Sequence, residues 1–317
     1  MLCGGLGFLV GQSWLEVIAT QKGPHTDHVL VRVQPGDGHM VLQHKLAKHQ
    51  IIHDRLHYQI YAFVNHSRYV PKAGEYLIEA GASLEDIFIQ LDAGITYQRR
   101  ITIIEGLRSF DIMNILNEAE GLRSVILSPP DEGSIFPDTY FYAYNDDRRS
   151  ILARMQQKME MLKAEIWAER DAGLPLKSPE ELVILASIIE KEAGNASERP
   201  LIASVFVNRL NAKMRLQSDP TVAYGLYREQ PLPKRLSRRE LKTPHRWNSY
   251  MHAGLPPTPI ANPSYASLYA AAHPAQTDYF YFVADGEGGH NFSRTLAEHN
   301  RNVRIYRKKM KNRSAGQ

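Results

Sequence analysis

Two glutamates, Glu190 and Glu192, close the run Ser178 to Gly194, S-P-E-E-L-V-I-L-A-S-I-I-E-K-E-A-G, which is otherwise dominated by aliphatic residues. On a helix, residues two apart project about 200° from each other, so the pair cannot serve one cleft. Glu192 follows Ile188 by four residues and falls on an apolar flank. Desolvation and the negative end of the helix dipole both favour its neutral form. A carboxyl still protonated near neutral pH is what a general acid requires. The competing reading is a solvated helix end with local ion pairs among Glu190, Lys191 and Glu192. The motifs that follow the helix favour the acid.

The ends of this helix follow from local chemistry. Ser178 suits the N-cap, Pro179 the first helical position and Glu181 the reciprocal carboxylate of a capping box, while Gly194 suits a left-handed stop. The span is roughly four turns. Leu182, Leu185, Ala186, Ile189 and Ala193 form one stripe, and Val183, Ile184 and Ile188 fill much of the remaining circumference. A helix apolar nearly all round is a central, buried one. Ser187 and Lys191 lie one turn apart, but a serine in an apolar helix bonds its own backbone, so a Ser–Lys dyad is not expected.

Past Gly194, the polar side chains Gln217, Ser218, Asp219, Thr221 and Tyr224 crowd a segment too short and turn-like for core, and read as the wall of a polar groove. Trp247-Asn248-Ser249-Tyr250 then precedes a proline-rich loop, Gly254 to Pro263, stiff enough to hold a cleft edge. Other catalytic signatures are missing: there is no G-x-S-x-G, no H-E-x-x-H and no dinucleotide fingerprint. The glycine turn Gly286 to His290 lacks the lysine and following helix of a phosphate loop. His39, His44, His49, His53 and His57 spread round a helix and its following loop with no cysteine beside them, so no metal site and no cofactor is expected.

At 317 residues the chain can bury a substantial core, and 43% hydrophobic with 23% charged residues is an ordinary globular balance. Its single cysteine, Cys3, excludes intrachain disulfides and cysteine-rich zinc sites. The net charge of +4 is partly concentrated in the tail Arg301 to Arg313, read as a solvated helix end, and no nucleic-acid signature accompanies it. The apolar start, M-L-C-G-G-L-G-F-L-V-G, is shorter than the ~20 residues of a spanning helix and lacks a signal peptide's basic leader. It reads either as the remnant of a truncated membrane anchor or as a glycine-rich terminus.

Strand patterns at His28 to Val33 and Lys72 to Ile78, and helical patterns at Met40 to Leu46, Leu56 to Asn65 and Ser83 to Asp92, make a small mixed module. After it come a strand at Arg100 to Ile104, a helix at Ser109 to Ala119 and a turn-rich Glu132 to Tyr142. A long helix at Arg148 to Arg170 leads to the buried helix, with a further helix at Pro200 to Leu210, one at Ala266 to Ala272 and a buried strand at Tyr279 to Ala284. The fold class is α+β.

Leu185 to Glu192, Ala203 to Leu210, Met214 to Val222, Gly254-Leu255-Pro256-Pro257 and Tyr281 to Gly286, in that order, closely resemble the YceG-like family of endolytic murein transglycosylases. Pro35-Gly36-Asp37 and Lys72-Ala73-Gly74-Glu75-Tyr76 match that family's LysM-like part. The resemblance implies an N-terminal segment over residues 1–27 in which the family's anchor is missing or truncated, a LysM-like module over 28–95 and a catalytic domain, mixed α/β around the buried helix, over 96–313. It further implies a bacterial inner-membrane, single-pass location with the catalytic domain in the periplasm. Peptidoglycan strands would be the substrate, and wall-synthesis enzymes such as penicillin-binding proteins the partners.

The family's catalytic glutamate is the second of its E-K-E, which falls on Glu192. The implied reaction is lyase cleavage of the β-1,4 bond between N-acetylmuramic acid and N-acetylglucosamine, leaving a 1,6-anhydro end. To the groove we assign Glu132, Tyr140, Asn208, Gln217, Asp219, Thr221, Asn248 and Tyr250, with Asn208 also readable as a helix-to-loop tie and Tyr140 as a core tyrosine. Two alternatives remain open: a muramidase using Asp219 or Glu198 as second carboxylate, and a glycan-binding scaffold whose acid is vestigial.

Overall fold

A computed structural model describes residues 12–66, 68–233 and 235–315. The chain divides into two compact units, with mixed helix and sheet throughout and three antiparallel or two-stranded pairings rather than one large sheet.

The first unit is built mainly from the first 100 residues. A helical run over residues 12–20 (α1) precedes β1 (Val29–Val33), α2 (His39–Lys48), α3 (Arg55–Asn65), β2 (Gly74–Ile78) and α4 (Leu84–Ala93). β1 and β2 pair antiparallel in register Val29 to Ile78 through Val33 to Gly74. Leu42, Leu46, Tyr58, Tyr76, Ile78, Ile87 and Phe88, from α2, α3, β2 and α4, are fully buried in one core cluster. Ser83 caps α4 in a complete capping box with Asp86. Glu75, 1% exposed, is neutralised by Arg99, at 2.8 Å, and Arg32, at 3.2 Å; a buried carboxylate needs such pairing.

The second unit contains α5 (Ser109–Glu118), α6 (Arg148–Glu169), α7 (Pro179–Glu192), α8 (Arg199–Asn211), α9 (Asp219–Tyr227), α10 (Tyr265–Ala272), the antiparallel pair β5 (Tyr281–Ala284) and β6 (His290–Ser293), and α11 (Leu296–Ala315). β3 (Arg99–Thr102) pairs with β4 (Thr139–Tyr142). α7 is the centre of this unit: Leu182 to Ile189 are all buried, and α6, α8, α9 and α10 pack on it. Ser187 donates to Ile184 O at 2.7 Å and accepts from Ile260 N, as a serine in an apolar helix does.

Five local expectations change. The α7 cap is one-sided: Ser178 accepts from Glu181 N, but the Glu181 carboxylate accepts from Lys177 N instead of the N-cap amide. Gly194 is not the left-handed stop; the helix ends at Glu192 with Ala193 extended, and Gly194 is not among the residues with positive φ. The turn-like Asp219 segment is a helix, α9, begun by Pro220 in its first turn. Thr139 to Tyr142, in the turn-rich stretch, is a strand, and β5 is half-buried instead of buried.

Leu185 is wholly enclosed at the middle of α7, so Leu185→Ala should cost about 2–5 kcal/mol in urea unfolding. A loss under about 1 kcal/mol would show that α7 is not the core element described.

Candidate active site

The last turn of α7 sends its two glutamates into opposite chemistry. Glu190 Oε2 accepts from Ser264 N at 3.0 Å and from the Ser264 hydroxyl. Its Oε1 accepts from Arg199 Nη2 at 3.3 Å. Burial pushes this carboxyl up, but the Ser264 and Ser267 hydroxyls, the Ser264 amide and Arg199 outweigh it, and Glu190 is held below the ordinary carboxylate range. It is an ionised strut joining α7, α8 and the start of α10.

Glu192 keeps part of its surface open to solvent, as a group that meets a substrate must. Its Oε1 accepts from Ser218 Oγ at 2.6 Å, and among the described residues no other hydrogen bond reaches the carboxyl. Loss of water around the carboxyl raises its pKa, opposed by the Ser218 bond, raised further by the nearby Asp219 carboxylate, and lowered by His290 and Arg209; the net direction is up. The neutral acid is therefore favoured beyond its usual range, with one oxygen unengaged.

Ser218 is held by a buried hydroxyl relay. Its N–H donates to Ser249 Oγ at 2.9 Å. Ser249 Oγ lies 2.8 Å from Thr221 Oγ1, which in turn donates to Ser218 O at 2.7 Å. Gln217, just before it, adopts φ 54°, a left-handed conformation unusual for a non-glycine residue, and its N–H donates to Ser249 O. Asp219 follows at the head of α9, exposed, with Tyr250 OH donating to its Oδ1 at 2.5 Å. Burial and the Asp219 carboxylate push the Tyr250 hydroxyl pKa up, so it stays a donor.

The eight residues assigned to the groove from sequence part into three groups. Gln217, Asp219 and Tyr250 adjoin Ser218 with exposed or half-exposed side chains. Thr221, Asn248, Asn208 and Tyr140 are committed to the fold. Thr221 and Asn248 are fully buried; Asn248 Nδ2 donates to Leu241 O and Thr243 O. Asn208 Nδ2 donates to Thr277 O and Tyr279 O, and Tyr140 OH to Phe136 O. Glu132 has its own partners: Ser109 N at 2.8 Å, Ser109 Oγ and Asn262 Nδ2. It lines a separate cavity of about 230 Å3 with Tyr224, Arg228 and Trp247.

Of the two second-carboxylate candidates, Glu198 is engaged by His290, through Nδ1 at 2.7 Å and N–H at 2.9 Å. The sequence gives no role to Ser249 or His290; Arg209, readable with Asn208 as a helix-to-loop tie, is buried, and its guanidinium donates to Phe280 O and Leu216 O. Ser218, noted only as groove wall, is the residue that touches Glu192; its place as N-cap of an S-D-P-T helix start was the available signal.

The profile of the YceG-like family matches residues 31–305. A protein of Bacillus subtilis (strain 168) named endolytic murein transglycosylase is 31% identical over 340 residues, covering 95% of this chain and 90% of that protein. A Streptococcus pneumoniae (serotype 2, strain D39) protein of the same name is 32% identical over 181 residues, covering 54% of this chain and 31% of its own length. The crystal structure of a YceG-like protein from Listeria monocytogenes superposes with a TM-score of 0.56 at 26% identity, covering 87% of this chain and 98% of that one.

Glu132 offers a test of the electrostatics. Burial, outweighing the Ser109 amide, the Tyr224 and Ser109 hydroxyls and Arg108, pushes its carboxyl from 4.5 to about 7. The folded state then holds a proton that the unfolded chain has lost, so this group's contribution falls as pH rises from about 4.5 to about 7 and levels off above. Urea unfolding across that window should show a decline in the parent, at most on the order of 3 kcal/mol, that Glu132→Gln removes; equal slopes would contradict it.

Proposed function

Because this chain belongs to the YceG-like family, we propose that the last turn of α7 is the catalytic centre of a peptidoglycan lytic transglycosylase with Glu192 as its acid. Relatives named endolytic murein transglycosylase support that activity, a lyase acting on the cell wall. The observation that carries Glu192 is its carboxyl, kept towards the neutral form by desolvation and anchored on one oxygen by Ser218.

In the proposed reaction Glu192 donates its proton to the bridging oxygen between N-acetylmuramic acid and N-acetylglucosamine as the C1–O bond breaks. The resulting carboxylate removes the proton from the C6 hydroxyl of the same muramic acid while that oxygen bonds to C1. The products are a free 4-hydroxyl on one fragment and a 1,6-anhydro sugar on the other, with no water consumed. An internal nucleophile dispenses with the second carboxylate that a hydrolase needs. The engagement of Glu198 with His290 and of Asp219 with Tyr250 fits that economy.

The first unit's order β1-α2-α3-β2, with the two strands paired, supports reading it as a LysM-like module that adds affinity for the glycan. We extend the reading to a bacterial inner-membrane enzyme held by a single N-terminal helix, with the catalytic unit on the periplasmic side and penicillin-binding proteins among its partners; resemblance to the family is what supports it. Residues 1–11, where that anchor would end, lie outside the described residues; among those described, no helix is long and apolar enough to cross a membrane.

Mass spectrometry of fragments released from purified peptidoglycan should find anhydro ends, one water lighter than reducing ends. Glu192→Gln should lower release by at least about 100-fold while strands still bind. Reducing ends would replace the lyase with a muramidase. Full activity in the variant would remove Glu192 from the mechanism.

A further inference from the structure

A cavity of about 810 Å3 opens next to the Glu192 turn. Glu192 does not line it, but Asp219 and Lys191 do, the first close enough to act on the Glu192 carboxyl and the second its neighbour in the chain. The lining is two-toned. Ala223, Leu236 and Ile260 supply buried or half-buried apolar surface, while Arg235, Arg307 and Lys311 stand exposed, so positive charge rims a greasier floor.

Arg307 and Lys311 lie one turn apart on α11. Other cations in the same helix are spent on the fold: Lys309 bonds Glu287 and Asp285 O, and Arg313 bonds Gly286 O. Arg108, which also lines the cavity, is paired with Asp111. Among the described residues Arg235, Arg307 and Lys311 have neither a hydrogen bond nor an ion pair. Asp219, the acidic residue of the lining, accepts instead from Tyr250. Five cations, Arg108, Lys191, Arg235, Arg307 and Lys311, line the cavity with the single carboxylate of Asp219, and such an excess of positive charge around a concavity raises the local concentration of anions.

We infer that this cavity receives the peptide stem of the muramic acid at the cleavage site and that Arg307 and Lys311 bind the stem's free carboxylates. The inference rests on the transglycosylase reading for its substrate. In murein the negative charge lies in the stems, which leave the sugar ring from the lactyl group a few bonds away from the C1 that Glu192 would act on. A stem leaving on the Asp219 and Lys191 side of the turn would enter the cavity that both residues line. Its alanyl methyls suit the apolar lining, and its carboxylates suit guanidinium and ammonium donors. A lipid surface would be met by apolar side chains on a projecting face, whereas the apolar lining here is buried or half-buried at Ala223, Leu236 and Ile260 and exposed at Leu232 alone.

The test measures binding, so that it stands apart from cleavage. The full chain carrying Glu192→Gln is titrated with uncrosslinked strands bearing pentapeptide stems and with the same strands stripped by an amidase. Stemmed strands should bind more tightly. Adding Arg307→Glu and Lys311→Glu should weaken stemmed binding about tenfold or more, the scale of one charge-assisted hydrogen bond, and the loss should be much smaller on stripped strands, which keep only the lactyl carboxylate that amidase cleavage exposes, and shrink in high salt. Arg307→Lys with Lys311→Arg should restore most of the affinity. Equal affinity for the two strands, an equal loss on both, or an effect confined to phosphatidylglycerol vesicles would overturn the inference. Absence of cleavage by the unmutated chain would instead overturn the proposed function, since stem-dependent binding is read independently.

Discussion

The removal of water from one carboxyl, at the point where α7 ends, is the constraint around which the second unit is arranged. A glutamate in that last turn faces the helix's own unsatisfied carbonyls and a nearby Asp219 carboxylate, both of which disfavour its ionised form. One hydrogen bond, from Ser218, meets it. More donors would lower the pKa and remove the proton; fewer would leave the carboxyl without a fixed direction. The buried relay of Ser249 and Thr221 behind Ser218 sets that single bond while Gln217 and Asp219 stay at the surface.

Glu190 shows what the same helix does with a carboxylate that is to remain charged. It sits two residues earlier, receives two donors from Ser264 and one from Arg199, and is held below the usual range. The two glutamates share a sequence motif and a helix turn but differ in donor count. That difference, set by α8 and α10 on one side and the Ser218 turn on the other, separates strut from acid. Because α7 is packed on all sides, neither carboxyl can rotate into the other's place without moving the core.

Much of this is legible in the chain. The full-circumference apolar pattern of Leu182 to Ile189 identifies α7 as central, and helical spacing alone separates Glu190 from Glu192. The capped helix at Ser83 and the strand pair β1 and β2 follow from cap chemistry and alternation. What escapes is which polar side chains are already spent inside the fold. Thr221 and Asn248 are polar residues in a polar stretch, and only the tertiary structure reveals that Thr221 Oγ1 donates to Ser218 O and Asn248 Nδ2 to Leu241 O; for Asn208, the bonds to Thr277 O and Tyr279 O match the helix-to-loop tie that is one of its two readings from sequence. The start of α9 escapes because Asp-Pro-Thr serves a turn or a helix start equally well; the packing of Val222 and Tyr224 into the core decides between them. Glu132 escapes because Ser109 and Asn262, its partners, are far from it along the chain.

The most direct test is a carboxyl-carbon NMR titration of Glu192 in the full chain. An apparent pKa above 4.5, the group's ordinary value, rising further in Ser218→Ala as the opposing hydrogen bond is lost, is what the account predicts. A value at or below 4.5, or one that Ser218→Ala lowers, would mean that the carboxyl at the end of α7 is an ordinary solvated anion, and would contradict its role as the acid.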